Sequence, residues 1–115
     1  MRACLLTLLL IAAPALADGF QPVATKAGFL DLVAGKDLKR FGIRLTVTRD
    51  GAIGGRAFGL PVTGSWRWKD GFFCRELTYT SGALAENCQV VLVDGATLRF
   101  IADRGAGDTA DLRID

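Results

Sequence analysis

The sequence predicts a mainly β fold: a single antiparallel up-and-down meander of about seven strands, as a curled sheet or small barrel, with one short N-terminal helix and one disulfide. Three observations carry this expectation. From Gly42 onward apolar residues recur with period two rather than 3.6. Asp-Gly dipeptides at Asp50-Gly51, Asp70-Gly71 and Asp94-Gly95 punctuate that pattern, and Asp-Gly is a strong hairpin signal because both residues tolerate positive φ. The intervals between apolar runs are too short for crossover helices, which leaves antiparallel neighbours.

The N-terminus reads as a segment to be removed. Arg2 supplies a positive start, Leu5 to Ala13 is an apolar run broken only by Thr7, and Pro14 precedes Ala15-Leu16-Ala17. That order of charge, apolar core and small residues is a secretory signal over residues 1–17. The run is too short to cross a hydrocarbon layer of roughly 30 Å, so no membrane anchor is expected after cleavage. Cys4 lies too early to be a lipoprotein acceptor. A periplasmic or secreted location follows.

The remaining 98 of 115 residues suffice for one domain. Residues 18–41 are expected to form an extended lead and a short helix, and residues 42–115 the meander. Asp18 to Thr25 reads as the lead. Phe29, Leu32, Val33 and Leu38 recur near helical spacing, which predicts a helix over 26–38, although Gly28 and Gly35 weaken it. The strands follow as RLTVT, IGGRAF, VTGSWRWK, FFCRELTYT, NCQVVLV, TLRFIA and TADLRI. Gly59-Leu60-Pro61 and the stretch 81–86 make the remaining corners.

Turn positions imply register. A two-residue turn at Asp70-Gly71 sets Trp68 across from Phe73, Trp66 from Arg75 and Arg67 from Cys74. Trp66, Trp68, Phe73, Leu77 and Tyr79 then share the core face. A two-residue turn at Asp94-Gly95 brings Leu98 and Phe100 onto the face of Val91 and Val93. A three-residue turn over Asp50 to Ala52 aligns Ile43, Leu45 and Val47 with Ile53 and Ala57. Cys74 and Cys88 are equidistant from Ser81, so a hairpin about Ser81-Gly82 places them opposite each other, close enough for a disulfide. In an oxidising compartment that pairing is the expected state. Phe72, Val90, Leu92 and Ile101 fall on the second face, for which the helix is the obvious cover.

The composition excludes several kinds of chemistry. With no histidine in the chain and both later cysteines bonded, neither a His-based triad nor a His or Cys metal site can be built. No metal and no cofactor are expected. Glu76 and Glu86 have no partner carboxylate at glycosidase spacing. The Asp103 to Asp108 stretch faintly echoes a glycine-aspartate calcium turn, but such turns bind in stacked arrays, and a single copy reads as a hairpin loop. The 14 basic residues less Arg2, against 12 acidic ones, leave a mature charge of +1. These charges are interspersed, which gives no reason to expect nucleic acid or an anionic membrane as partner.

One residue breaks the pattern around it. Arg75 falls on the tryptophan face, where an apolar residue is expected. It reads either as an anion-holding guanidinium in an aromatic cavity with Trp66 and Trp68, or as an arginine stacked on Trp66 with its head in solvent or paired with Glu86. Trp66 and Trp68 could instead form a sugar platform, although two tryptophans at this spacing beside Phe73 read first as core.

The run FLDLVAGKDL, the element GSWRWKDGFFCR (as GxWxWxDGxFCR), the NCQ triplet and LRFIADRGAGD together resemble a family of small exported proteins of alphaproteobacteria. The resemblance spans Phe29 to Gly107. Members are often labelled dihydrodipicolinate reductase, so the label implies a nucleotide-dependent reductase. The residues themselves show no βαβ unit with a glycine turn at a helix N-terminus to hold a pyrophosphate. The expected function is therefore a non-enzymatic module that binds a small ligand or another exported protein. A reductase or a structural or inhibitory accessory of an envelope assembly is the alternative.

Overall fold

A computed structural model describes residues 19–115, so the signal segment expected over 1–17 lies outside the described residues. Of the described residues 61% are in strands, and they contain one α-helix. Nine strands form one antiparallel sheet: β1 (Gln21–Pro22), β2 (Asp37–Arg40), β3 (Ile43–Val47), β4 (Ala52–Ala57), β5 (Leu60–Lys69), β6 (Phe72–Tyr79), β7 (Gly82–Asp94), β8 (Thr97–Ile101) and β9 (Thr109–Ile114). Strands β2 to β9 pair in chain order, and β9 pairs back onto β2 through Leu38↔Ile114 and Lys39↔Arg113. The meander thus closes into an eight-stranded barrel, which leaves no free sheet edge among these strands. The short β1 lies outside the ring and caps the end of β7 beyond β6, with Gln21↔Val93 and Pro22↔Leu92.

The strand that closes the ring was hidden in the expected helix. Helix α1 (Lys26–Val33) starts at Thr25, whose Oγ1 accepts from the Gly28 amide at 3.1 Å. It ends at Val33, five residues before the predicted end, with Ala34 as C-cap and Gly35 at φ +72°. Leu38, which fitted the helical spacing, instead points inward from β2 opposite Leu45. Four residues of strand are too few to show period two, so β2 left no pattern of its own.

The helix does not cover the second face. It enters one end of the barrel, where Phe29 and Val33, both fully buried, project inward among Trp66, Phe73, Leu98 and Phe100. The Phe29 ring lies 5.0 Å from Phe73, 5.3 Å from Trp68 and 5.5 Å from Trp66. The outer face at Phe72 and Val90 is covered instead by the β8–β9 loop. Arg104 lies over the Phe72 ring at 5.6 Å, and Gly105 packs on Val90.

Register follows the expected turns with small displacements. Trp66↔Arg75, Arg67↔Cys74 and Trp68↔Phe73 pair as predicted, around a turn in which Asp70 and Gly71 both have positive φ. The first hairpin turns at residues 49–51, one residue early, and Val47↔Ile53 and Ile43↔Ala57 keep the expected face. The β7–β8 turn falls at Gly95-Ala96, one residue late, with Val93↔Leu98 and Val91↔Phe100. Phe58 leaves the predicted IGGRAF strand and sits in a turn at φ +51°. Cys74 and Cys88 are directly opposed and bonded, with Cα atoms 3.9 Å apart. The β6–β7 turn is centred half a residue before Ser81, and a bulge between Arg75 and Leu77 restores the cysteine pairing.

Candidate functional site

The two halves of the barrel interior differ. The half nearest α1 is filled by Phe29 and the aromatics around it. The other half is a cavity of about 280 Å³ that opens between the hairpins at the far end. Its walls are apolar, with Leu38, Ile43, Leu45, Leu77 and Leu84 among them. Phe73 and Phe100 form its floor and touch Phe29 on their other side. The polar side chains on its lining are Arg40, Arg75 and Gln89.

Alternation places these groups. The disulfide lies on the outer face of β6 and β7, so the residues on either side of each cysteine face inward. Those are Phe73 and Arg75 on β6, and Asn87 and Gln89 on β7. Arg75 is half-buried, and a guanidinium Nη1 donates to the Ala85 carbonyl at 3.2 Å, on the bulged stretch of β7. Among the described residues it has no carboxylate partner. Glu86, the partner considered from sequence, is taken on the outer face by Arg67 at 2.6 Å. Burial lowers the Arg75 pKa from its ordinary value, but a guanidinium stays protonated at neutral pH. The cavity lining therefore carries two guanidiniums, Arg40 exposed at the mouth and Arg75 half-buried among apolar walls, and desolvation strengthens the attraction of Arg75 for an anion.

Gln89 is the buried polar side chain of the core, 8% exposed. Its Nε2 reaches Asn87 Oδ1 at 3.5 Å; Asn87 Nδ2 in turn donates to Asp103 Oδ1 at 2.7 Å, and the Asp103 amide donates back to Asn87 Oδ1 at 3.0 Å. This chain ties the cavity wall to the β8–β9 loop and engages the Asp103 carboxylate in a hairpin contact.

Of the three binding candidates read from sequence, Arg75 lines the cavity and the two tryptophans do not, although Trp66 is its cross-strand neighbour. Trp66 is buried in the plugged half, where its indole N–H donates to the Thr48 carbonyl at 2.8 Å. The cation over its ring is Lys26, at 5.6 Å, not Arg75. Trp68 packs on Phe29. Neither tryptophan lines the cavity. Sequence reasoning did not single out Asn87 and Gln89, although the NCQ triplet held the signal. Once Cys88 faces outward, both of its polar neighbours must face inward.

Among the described residues no three His, Cys, Asp or Glu gather to hold a metal ion. No helix among them is long and apolar enough to cross a membrane. Comparison with protein-family models, with curated proteins and with solved structures finds no match in any of the three.

Proposed function

We propose that this protein is a non-enzymatic carrier or sensor, exported to the periplasm or beyond, that takes a small amphiphilic anion into the open half of its barrel. The observation that carries this reading is the half-buried Arg75 guanidinium, set among the described residues without a carboxylate partner into an open cavity whose walls are mostly apolar, with Gln89 beside it and Arg40 at the mouth. Eight-stranded barrels have interiors of the size that holds one small ligand. At roughly 30 Å³ per water-sized group, the cavity takes about ten non-hydrogen atoms, which suits a medium-chain carboxylate such as octanoate. The carboxylate would meet Arg75 bidentately, with Gln89 as a second donor, and the chain would lie against Leu38, Leu45 and Leu77.

Titration calorimetry with octanoate, octylamine and octanol separates charge recognition from simple apolar filling. The carboxylate should bind saturably, the amine should not bind, and the alcohol should bind at least tenfold more weakly, the factor that corresponds to about 1.4 kcal/mol. Arg75→Met keeps the apolar stem, so it should abolish the preference for the carboxylate while changing stability by about 1 kcal/mol or less. Equal binding of all three ligands, unchanged by Arg75→Met, would contradict the reading.

A further inference from the structure

The open end of the barrel has a second property, independent of what the cavity holds. The large hydrophobic side chains exposed among the described residues are Phe41, Phe58, Leu60, Tyr79 and Leu84. Phe41 lies in the β2–β3 turn and Phe58 in the β4–β5 turn, while Leu60, Tyr79 and Leu84 lie at or near the strand ends of the β4–β5 and β6–β7 hairpins at the same end. Phe41 is 92% exposed and Phe58 70% exposed, and the two rings meet edge to face with centroids 6.4 Å apart. Their placement is built. Phe58 occupies φ +51°, a conformation that turns normally reserve for Asn, Asp or Gly. Its ring lies over Gly42, where any Cβ would come within 2.3 Å of a ring carbon. A large apolar side chain held in solvent by a strained turn signals function rather than stability.

Behind these tips runs a row of cations. Arg113 of β9, Lys39 of β2, Arg44 of β3 and Arg56 of β4 are successive cross-strand neighbours. They face outward, because Leu38, Leu45 and Leu112 beside them line the interior. With strands roughly 4.8 Å apart, the row spans about 14 Å. Like charges set directly across strands are unfavourable, and the counter-charges are partial. Lys39 pairs with Asp115 and Arg44 lies 3.7 Å from Asp37. Arg56 donates to the Gly59 carbonyl, and among the described residues neither Arg56 nor Arg113 has an ion pair. Arg40 adds a further exposed cation at the rim. Lys39, Arg44 and Arg56 each lie two residues from Phe41, Gly42 or Phe58, about 7 Å behind the tips.

We infer that this rim docks on an anionic bilayer surface, with Phe41 and Phe58 entering the interface and the row Arg113–Lys39–Arg44–Arg56 meeting the phosphates behind it. The order along the barrel axis, apolar tips and then cations, is the order of depth in a bilayer, acyl chains and then headgroups. A protein interface would place its aromatics at the centre of a continuous patch, whereas these side chains stand around the cavity mouth. The fourth connection at this end, with Asp103, Arg104 and Asp108, is polar, which tilts the β2–β5 side toward the surface.

Vesicle co-sedimentation tests this. The protein should pellet with phosphatidylcholine vesicles containing about 30% phosphatidylglycerol and bind pure phosphatidylcholine at least tenfold more weakly. Raising the salt concentration should weaken binding. Charge reversal in Arg44→Glu/Arg56→Glu should remove the preference for phosphatidylglycerol. Phe41→Ser/Phe58→Asn should reduce binding at least tenfold, and the unchanged or raised melting temperature of this variant, expected because Asn suits the Phe58 turn, shows that the loss is not unfolding. Arg75→Met should bind vesicles as the wild type does, which separates this inference from the cavity's ligand. Indifference of the wild type to both vesicle types would overturn the inference, as would wild-type levels of binding by both rim variants. So would retention on immobilised polyglutamate without vesicle binding, which would assign the rim to an acidic protein.

Discussion

The two ends of the barrel are built from one meander yet solve opposite problems. At the α1 end, inward side chains are large and aromatic, and the helix inserts Phe29 among Trp66, Trp68, Phe73 and Phe100 to complete a dense core. At the far end the cavity walls are largely aliphatic, with Arg75 and Gln89 among them, no described residue fills the space, and Phe41 and Phe58 stand exposed on the hairpin turns. One end holds the dense aromatic core and the other an open cavity.

The largest effect that separates the ends belongs to the plug. Phe29→Ala removes a fully buried ring with four aromatic neighbours and should cost about 3–5 kcal/mol in urea denaturation. Loss of less than about 1 kcal/mol would mean that α1 does not dock as described. The disulfide comes next. It closes a loop with a sequence separation of 14, so Cys74→Ala/Cys88→Ala should lower stability by about 3 kcal/mol. Because the bridge also fixes the inward facing of Arg75 and Gln89, the variant should bind octanoate more weakly even at temperatures where it remains folded.

The smallest effect is the pH dependence. Hydrogen bonds from Arg67, Arg99 and Lys39 hold the carboxyls of Glu86, Asp111 and Asp115 below the usual carboxylate range. A carboxylate with a depressed native pKa contributes its full stabilisation above its unfolded pKa, near 4, and loses it as pH falls through the native value. With no histidine in the chain, the melting temperature should be level from about pH 6 to pH 8 and decline below about pH 4. All three pairs lie at the solvent-exposed surface, so the decline should be shallow and weakened by salt. A steep transition near pH 6 would contradict this assignment of the titrating groups.

How much of this was legible in the sequence follows the same division. The β5–β6 register and the disulfide were readable because Asp70-Gly71 fixes a turn and Cys74 and Cys88 are symmetric about the next one. Closure of the barrel was not, because Asp37–Arg40 is too short to show its period and Leu38 also fits the helix. The role of α1 as an internal plug was hidden too, since an apolar helix face looks the same whether it covers a sheet or enters a barrel. Arg75 stood out as a charge on an apolar face. The cation row did not, because Lys39, Arg44, Arg56 and Arg113 are scattered along the chain and only the cross-strand register aligns them. Phe58 read as a strand end because hydrophobicity alone does not distinguish an inward residue from one displayed on a turn.

We propose that ligand binding belongs to the open half and is organised by Arg75. Two-dimensional NMR during titration with octanoate tests it most directly. Saturable shifts should appear at the Arg75 Nε–H, the Gln89 side-chain amide and the methyls of Leu38, Leu45 and Leu77, while the indole N–H signals of Trp66 and Trp68 stay in place. Shifts concentrated on the two indoles, or no saturable shift at Arg75, would contradict it.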